Sequence, residues 1–223
     1  MEEYLKDISD GKLYSSNDMV KVGCHDCNGC SACCCDMGES ILLDPMDVWR
    51  LERNLGQSFE QLLAGAIDLH VEDGLILPNL KMASSATGPK CSFLNEEGRC
   101  SVHPFRPGFC RLFPLGRLYE NGSFQYFLQT HECKKENRTK VKVRKWIDIP
   151  DFGKYEKFVS DWHYFAKEMG QKIKSLGSEG QDKSKALCLY VLKKFYMEPF
   201  DASVDFYEQF NKRLEEAKHA AAA

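Results

Sequence analysis

The sequence has no window of about 18 apolar residues, the length a helix needs to cross a bilayer. Its first residues, MEEYLKDISDGK, contain no apolar core of the kind that directs export. Membrane spanning and secretion are therefore not expected, and the reading places the chain in the cytoplasm. An excess of one charge is also missing: 30 Lys and Arg against 33 Asp and Glu leave a net −3. Nothing global steers such a chain to nucleic acid or to anionic lipid. GxGxxG, the P-loop, the GxSxG elbow and HExxH are all absent, which removes the commonest nucleotide, serine-hydrolase and zinc-protease signatures. The radical-SAM triplet CxxxCxxC and any internal repeat are absent too. With 43% apolar and 28% charged residues, the bulk is that of an ordinary globular chain long enough to bury a core.

Cysteine is what the sequence has in excess. Eleven are present, six of them in the twelve positions CHDCNGCSACCC, residues 24–35. A reducing compartment disfavours disulfides, so clustered thiols read as metal ligands or redox groups. Cys24, Cys27, Cys30 and Cys33 recur with two residues between each, a spacing that lets a tight loop aim several sulfurs at one centre. Cys91, Cys100, Cys110 and Cys133, with His103 and His131 nearby, form a sparser second group. Cys188, within ALCLYVL, reads as a small core hydrophobe.

Together these segments resemble the YkgJ-type cysteine-cluster proteins, a family named for a CxxCxxCC motif and described as zinc- or iron-chelating or iron–sulfur. Cys27-Asn28-Gly29-Cys30-Ser31-Ala32-Cys33-Cys34 matches the motif. The resemblance continues in the acidic helix start before Leu51, in Cys91-Ser92-Phe93-Leu94, in Cys100, and in Arg106-Pro107-x-x-Cys110-Arg111-x-Phe113-Pro114. It covers roughly residues 20–147. It implies as ligands Cys27, Cys30, Cys33, Cys34, Cys91, Cys100, Cys110 and Cys133. Cys24, Cys35 and His103, which stands where the family usually has tyrosine, inherit no such role.

Eight thiolates suit two [4Fe–4S] clusters or two tetrahedral zinc sites. The repeated CxxCxxC is similar to the run in bacterial ferredoxins without its following proline, and the second group has no CxxC pair of the zinc-ribbon type. The leading expectation is an iron–sulfur protein with two [4Fe–4S] clusters, acting in electron transfer or as an oxidoreductase component. The alternative is a zinc- or iron-binding structural or metal-handling module. A third reading follows from the cysteine pattern shared with flagellin lysine N-methylases. Arg106 and Arg111, flanking Cys110, are the residues expected to touch the cofactor, by hydrogen bonds to sulfur or by offsetting thiolate charge. Salt bridges to neighbouring carboxylates are their other reading. Successive residues point in different directions, so Cys33 and Cys34 are placed to serve two neighbouring centres. Cys24 and Cys35 are the thiols expected to be dispensable. A redox partner or protein substrate is the expected partner; KKENRTKVKVRK, residues 134–145, reads first as a solvated basic segment.

The expected fold class is α+β: a loop-rich metal-centred unit with two small hairpins and helices, followed by a helical C-terminal segment. A domain boundary is expected near residue 148, with 1–148 binding metal, 149–219 helical and 220–223 a linker or tag remnant. Asp44-Pro45 and Ser58 open helices, the second running through Phe59, Leu62, Leu63 and Ile67. Asp73-Gly74 and Asn121-Gly122 make two-residue hairpin turns. Residues 88–114 read as irregular. Phe158, Trp162, Phe165, Met169, Ile173 and Leu176 mark a long amphipathic helix, followed by GSEGQDKS and helices near 183–197 and 203–217.

Overall fold

A computed structural model describes residues 3–24, 27, 30–177 and 180–222. Asn28 and Gly29 of the motif, Ser178 and Glu179 of the connector and Ala223 lie outside the described residues. The protein is mixed α+β, with small antiparallel sheets, hairpins and C-terminal helices. Its contacts divide it into two compact units, each discontinuous in sequence: residues 1–38 with 82–156, and residues 39–81 with 157–223. A sequence boundary near 148 does not coincide with this division, because residues 39–81 group with the C-terminal helices.

In the first unit, α1 (Glu3–Ile8) leads into β1 (Ser9–Tyr14), which joins β8 (Ser123–Gln129) and β7 (Leu115–Glu120) in a three-stranded sheet ordered β1-β8-β7. The β7–β8 hairpin turns at Asn121-Gly122, both at positive φ (52° and 76°), as the sequence predicts. A second sheet pairs β2 (Met19–Gly23) with β9 (Thr139–Lys142), Gly23 facing Thr139. A side chain at Gly23 would collide with Thr139 and Val141, so the close approach of the two strands requires glycine. Helix α5 (Val143–Ile147) buries Val143 and Ile147. The stretch expected to be irregular holds only short pieces: β5 (Met82–Ala83) paired with β6 (Lys90–Cys91), a 3₁₀ turn at His103–Phe105 and α4 (Gly108–Leu112).

In the second unit, α2 (Pro45–Leu55) and α3 (Phe59–Gly65) both open on reciprocal capping boxes, Asp44 with Asp47 and Ser58 with Gln61. Gly56, at φ 65°, ends α2. The expected run of α3 through Ile67 is corrected. The helix stops at Gly65, and Ile67, β-branched and fully buried, opens β3 (Ile67–Glu72) opposite Leu80 of β4 (Leu75–Leu80). Their turn is Asp73-Gly74, as expected. The long helix is α6 (Phe152–Ser175), within which the division between units falls. Helix α7 (Gln181–Leu192) continues into a π-helical turn, Lys193–Met197. Arg213 of α8 (Phe206–Ala222) donates to the carbonyls of Lys194 and Glu198, groups that such a turn leaves without helical partners. Helix α8 runs on to Ala222, with Ala221 buried. Phe158, Trp162, Phe165, Phe195, Phe206 and Phe210 pack ring against ring in this unit's core, and Cys188 is buried there with its thiol donating to the Gly74 carbonyl at 3.3 Å. Among the described residues no helix is long and apolar enough to cross a membrane.

Candidate metal centre

All of the clustered cysteines fall in the first unit, and among the described residues no disulfide is formed. Strand β2 delivers Cys24, 7% exposed, at its end. Cys27 takes a left-handed conformation (φ 55°), strained for a residue with a side chain, and its carbonyl accepts from the Cys30 amide at 3.0 Å. This tight turn brings the Cys24 and Cys27 sulfurs to 3.4 Å. Arg99 donates to the same Cys27 carbonyl at 3.0 Å and ties the turn to the 95–100 loop. A 3₁₀ turn at Ala32–Cys34 then carries the chain past Cys33 and Cys34.

Cys24, Cys27, Cys30, Cys33 and Cys133 line one small cavity, ≈ 20 Å³, together with Phe113, Trp146, Glu132, Lys134 and Lys135. Trp146 is fixed there by a hydrogen bond from its indole N–H to the Phe113 carbonyl (3.1 Å). A second group gathers around Cys91 and Cys100. A bridge between Cys35 and Lys90 lays the end of the cysteine run beside Cys91, and a bridge between Leu94 and Cys100 closes a tight loop. In that loop the Phe93 amide lies where it favours the Cys91 thiolate, and the Val102 amide where it favours that of Cys100. Such N–H groups stabilise a thiolate. Cys33, Cys34, Cys91 and Cys100 lie within electrostatic reach of one another.

The electrostatics describe crowded, partly buried thiols. Burial and then the Cys24 thiol push Cys27 up to about 12. Cys33 is held down, to about 7, chiefly by its hydrogen bond with Cys34, which is raised in turn. Burial raises Cys91 and Cys100. Neutral thiols packed together in this way are the donor set that a cation converts to thiolates. Among the described residues no three His, Cys, Asp or Glu side chains already stand at metal-binding spacing. The donor chemistry fits a soft or borderline metal ion, and Cys27, Cys30, Cys33 and Cys133 around the cavity, with Cys34, Cys91 and Cys100 beyond, would hold it.

The two arginines part company. Arg106 extends its positive charge to Cys27, Cys33 and Cys100, opposing the rise at Cys27 and Cys100 and adding to the fall at Cys33, while its guanidinium meets the His103 ring and carbonyl. Arg111 is 3% exposed and spends its donors on backbone carbonyls: Nε on Arg106, Nη1 on Ile147 and Asp148 (3.2 and 3.0 Å), Nη2 on Pro104. That uses four of its N–H groups to clamp α4 to α5 and gives the side chain an architectural place. Cys110, on α4, is half-buried and is not among the residues lining the cavity. His131 is exposed. Sequence reasoning did not single out Arg99; Cys24, expected to be dispensable, lines the cavity with the motif cysteines.

Residues 26–134 match the model of the family described as "CxxCxxCC: Putative zinc- or iron-chelating domain". No curated protein and no solved structure matches the chain. The matched segment begins two residues after Cys24 and ends one after Cys133, so it takes in both thiol groups apart from Cys24. Residues 26–134 are a CxxCxxCC domain, a cysteine-cluster module of the zinc- or iron-chelating type.

Proposed function

We propose that the first unit is a chelating module in which thiolates hold single metal ions, zinc being the ion best suited to an all-sulfur, four-coordinate set. The observation that carries this reading is the convergence of Cys24, Cys27, Cys30, Cys33 and Cys133 on one small cavity. As the side chains stand, its ≈ 20 Å³ has room for one small ion or water, and a larger group would need them to turn outward. Bound metal orders the loops that carry the thiols and so stabilises the unit; it also deprotonates its ligands.

The test is metal and acid-labile sulfide analysis of protein purified without oxygen, with its visible spectrum. Colourless protein with stoichiometric zinc and no sulfide is expected. Brown protein with iron and equivalent sulfide would overturn the single-ion reading in favour of a second: two [4Fe–4S] clusters serving electron transfer. That alternative draws on the CxxCxxC run and on the amides that favour the Cys91 and Cys100 thiolates, a device that also tunes clusters.

A further inference from the structure

Cys24 lies outside the segment that matches the family and outside the motif, yet it is the one buried thiol of residues 24–35. It follows directly on Gly23, which the β2–β9 pairing locks opposite Thr139. Its side chain is buried beside the cavity. The left-handed turn at Cys27 returns a second sulfur to within 3.4 Å of it. A metal at about 2.3 Å from each ligand in tetrahedral geometry holds its sulfurs about 3.8 Å apart. The Cys24–Cys27 spacing is therefore near that of two ligands of one ion, and well beyond the length of a disulfide bond, about 2.05 Å. Cys30 and Cys133, both half-buried, line the same cavity. Lys134 and Lys135 line it as well and offset the negative charge that four thiolates around one divalent ion retain. Cys33 lines the cavity too, but it adjoins Cys34, whose other thiol neighbours are Cys91 and Cys100.

Resting on the chelating reading above, we propose that Cys24 is a metal ligand, and that Cys24, Cys27, Cys30 and Cys133 form one four-thiolate site. Cys33 and Cys34 then serve a second site with Cys91 and Cys100. The divide between the two centres falls between Cys30 and Cys33, and the first centre borrows a ligand from a strand that the family segment does not contain.

The full chain, reduced and loaded with zinc, provides the test, with metal per chain, chelator competition and the spectrum of the cobalt-substituted protein as readouts. Wild type should hold about two ions per chain. Cys24→Ser should lose about one of them, or release it to a chelator at least about 100-fold more readily, since even residues that only support ligands cost 10–100-fold. Cys24→His should keep the ion while weakening the cobalt–thiolate charge-transfer band, as one sulfur becomes nitrogen. Cys35→Ser should match wild type. In unmutated protein, zinc should slow alkylation of Cys24 together with Cys27, Cys30 and Cys133, and chelation should restore it. Metal-binding wild type with Cys24→Ser unchanged in content, competition and cobalt spectrum, or with Cys24 alkylated equally fast with and without zinc, overturns the assignment and leaves the chelating reading standing. Wild type that binds no metal overturns both.

Discussion

The two units solve the problem of a stable interior by different chemistry. The second is held by burial: Phe158, Trp162, Phe165, Phe195, Tyr196 and Phe210 are all at most 8% exposed and stack in edge and tilted contacts 4.6–6.4 Å apart. Such pairs add to the area they remove from water. The first unit has apolar residues beneath its sheets, Val20, Val22, Leu115 and Tyr126 among them, but its cysteine loops have little of this. Residues 30–38 bury nothing fully, and residues 84–101 bury only Cys91. What fixes those loops is hydrogen bonds to carbonyls, such as Arg99 to Cys27, and the thiols themselves. A chain segment with so few apolar contacts does not recover its ordering entropy from burial alone. On the proposed chelating reading metal is the remaining source, and chelation and fold are then coupled in one unit and not in the other.

The largest effect should come from removing the metal. Structural zinc contributes about 10–16 kcal/mol in small domains, comparable with the whole stability of a typical protein, about 5–15 kcal/mol. Chelation of reduced protein should abolish amide-exchange protection across residues 30–38 and 84–101, while α2, the β3–β4 hairpin and α8 keep theirs. Protection lost equally in both units would break the contrast. The converse change is Phe210→Ala. This ring is fully buried and meets Phe158 at 4.6 Å and Phe195 at 5.9 Å. Its loss should cost about 3–5 kcal/mol in denaturant unfolding and leave metal content untouched.

Legibility in the sequence follows the range of the forces involved. Both capping boxes, both Asx-Gly hairpins and the long amphipathic helix rest on residues within a few positions of one another, and each was readable. The pairings Ser9↔Gln129 and Met19↔Lys142 join segments some 120 residues apart, and nothing local in SDGKLY or MVKVG names its partner. The α3 boundary failed for a related reason: Ile67 continues a helical apolar pattern, and only its cross-strand neighbour Leu80 makes it a strand residue. At the site, residue types were legible and directions were not. Spacing gathered the cysteines, but the turn at Cys27 that points a sulfur back at Cys24 depends on a positive φ that no glycine announces. Arg111 was legible as a neighbour of Cys110, but its carbonyl partners at Ile147 and Asp148 lie 36 and 37 residues away.

That clamp gives an intermediate effect in the metal-centred unit. Arg111→Met keeps much of the apolar stem and removes every donor, leaving the carbonyls of Pro104, Arg106, Ile147 and Asp148 to find others. Charged hydrogen bonds are worth about 1.5–3 kcal/mol each and do not add in full, so a loss of about 3 kcal/mol is expected. Arg111→Lys should recover little of it, because an ammonium cannot reach four separated carbonyls from one position. If Lys restored stability while Met did not, charge rather than the fork would be the working property, and a role closer to the thiols would follow.

The smallest effect separates the units by pH. Glu52, on α2 in the second unit, is raised to about 7, mainly by burial, with the Glu60 charge adding and the Phe59 amide and Arg213 opposing. A carboxyl whose folded pKa exceeds its unfolded value near 4.5 binds its proton more tightly in the folded state. Its contribution is therefore complete below about pH 4.5 and is lost as pH rises through 7. Because the group is only about half buried, solvent screening reduces the effect to about 1 kcal/mol. Glu52→Gln should raise the urea midpoint at pH 8, change it little at pH 4.5, and flatten the slope between. The thiols of the first unit behave in the opposite sense once metal is bound, since protons compete with the ion for each sulfur and acid weakens the site. Acidification should thus favour the aromatic unit at Glu52 while it releases metal from the other. Exchange protection followed in both units from pH 8 to 5 would show the two moving apart, and parallel behaviour would mean that one stabilising chemistry governs both.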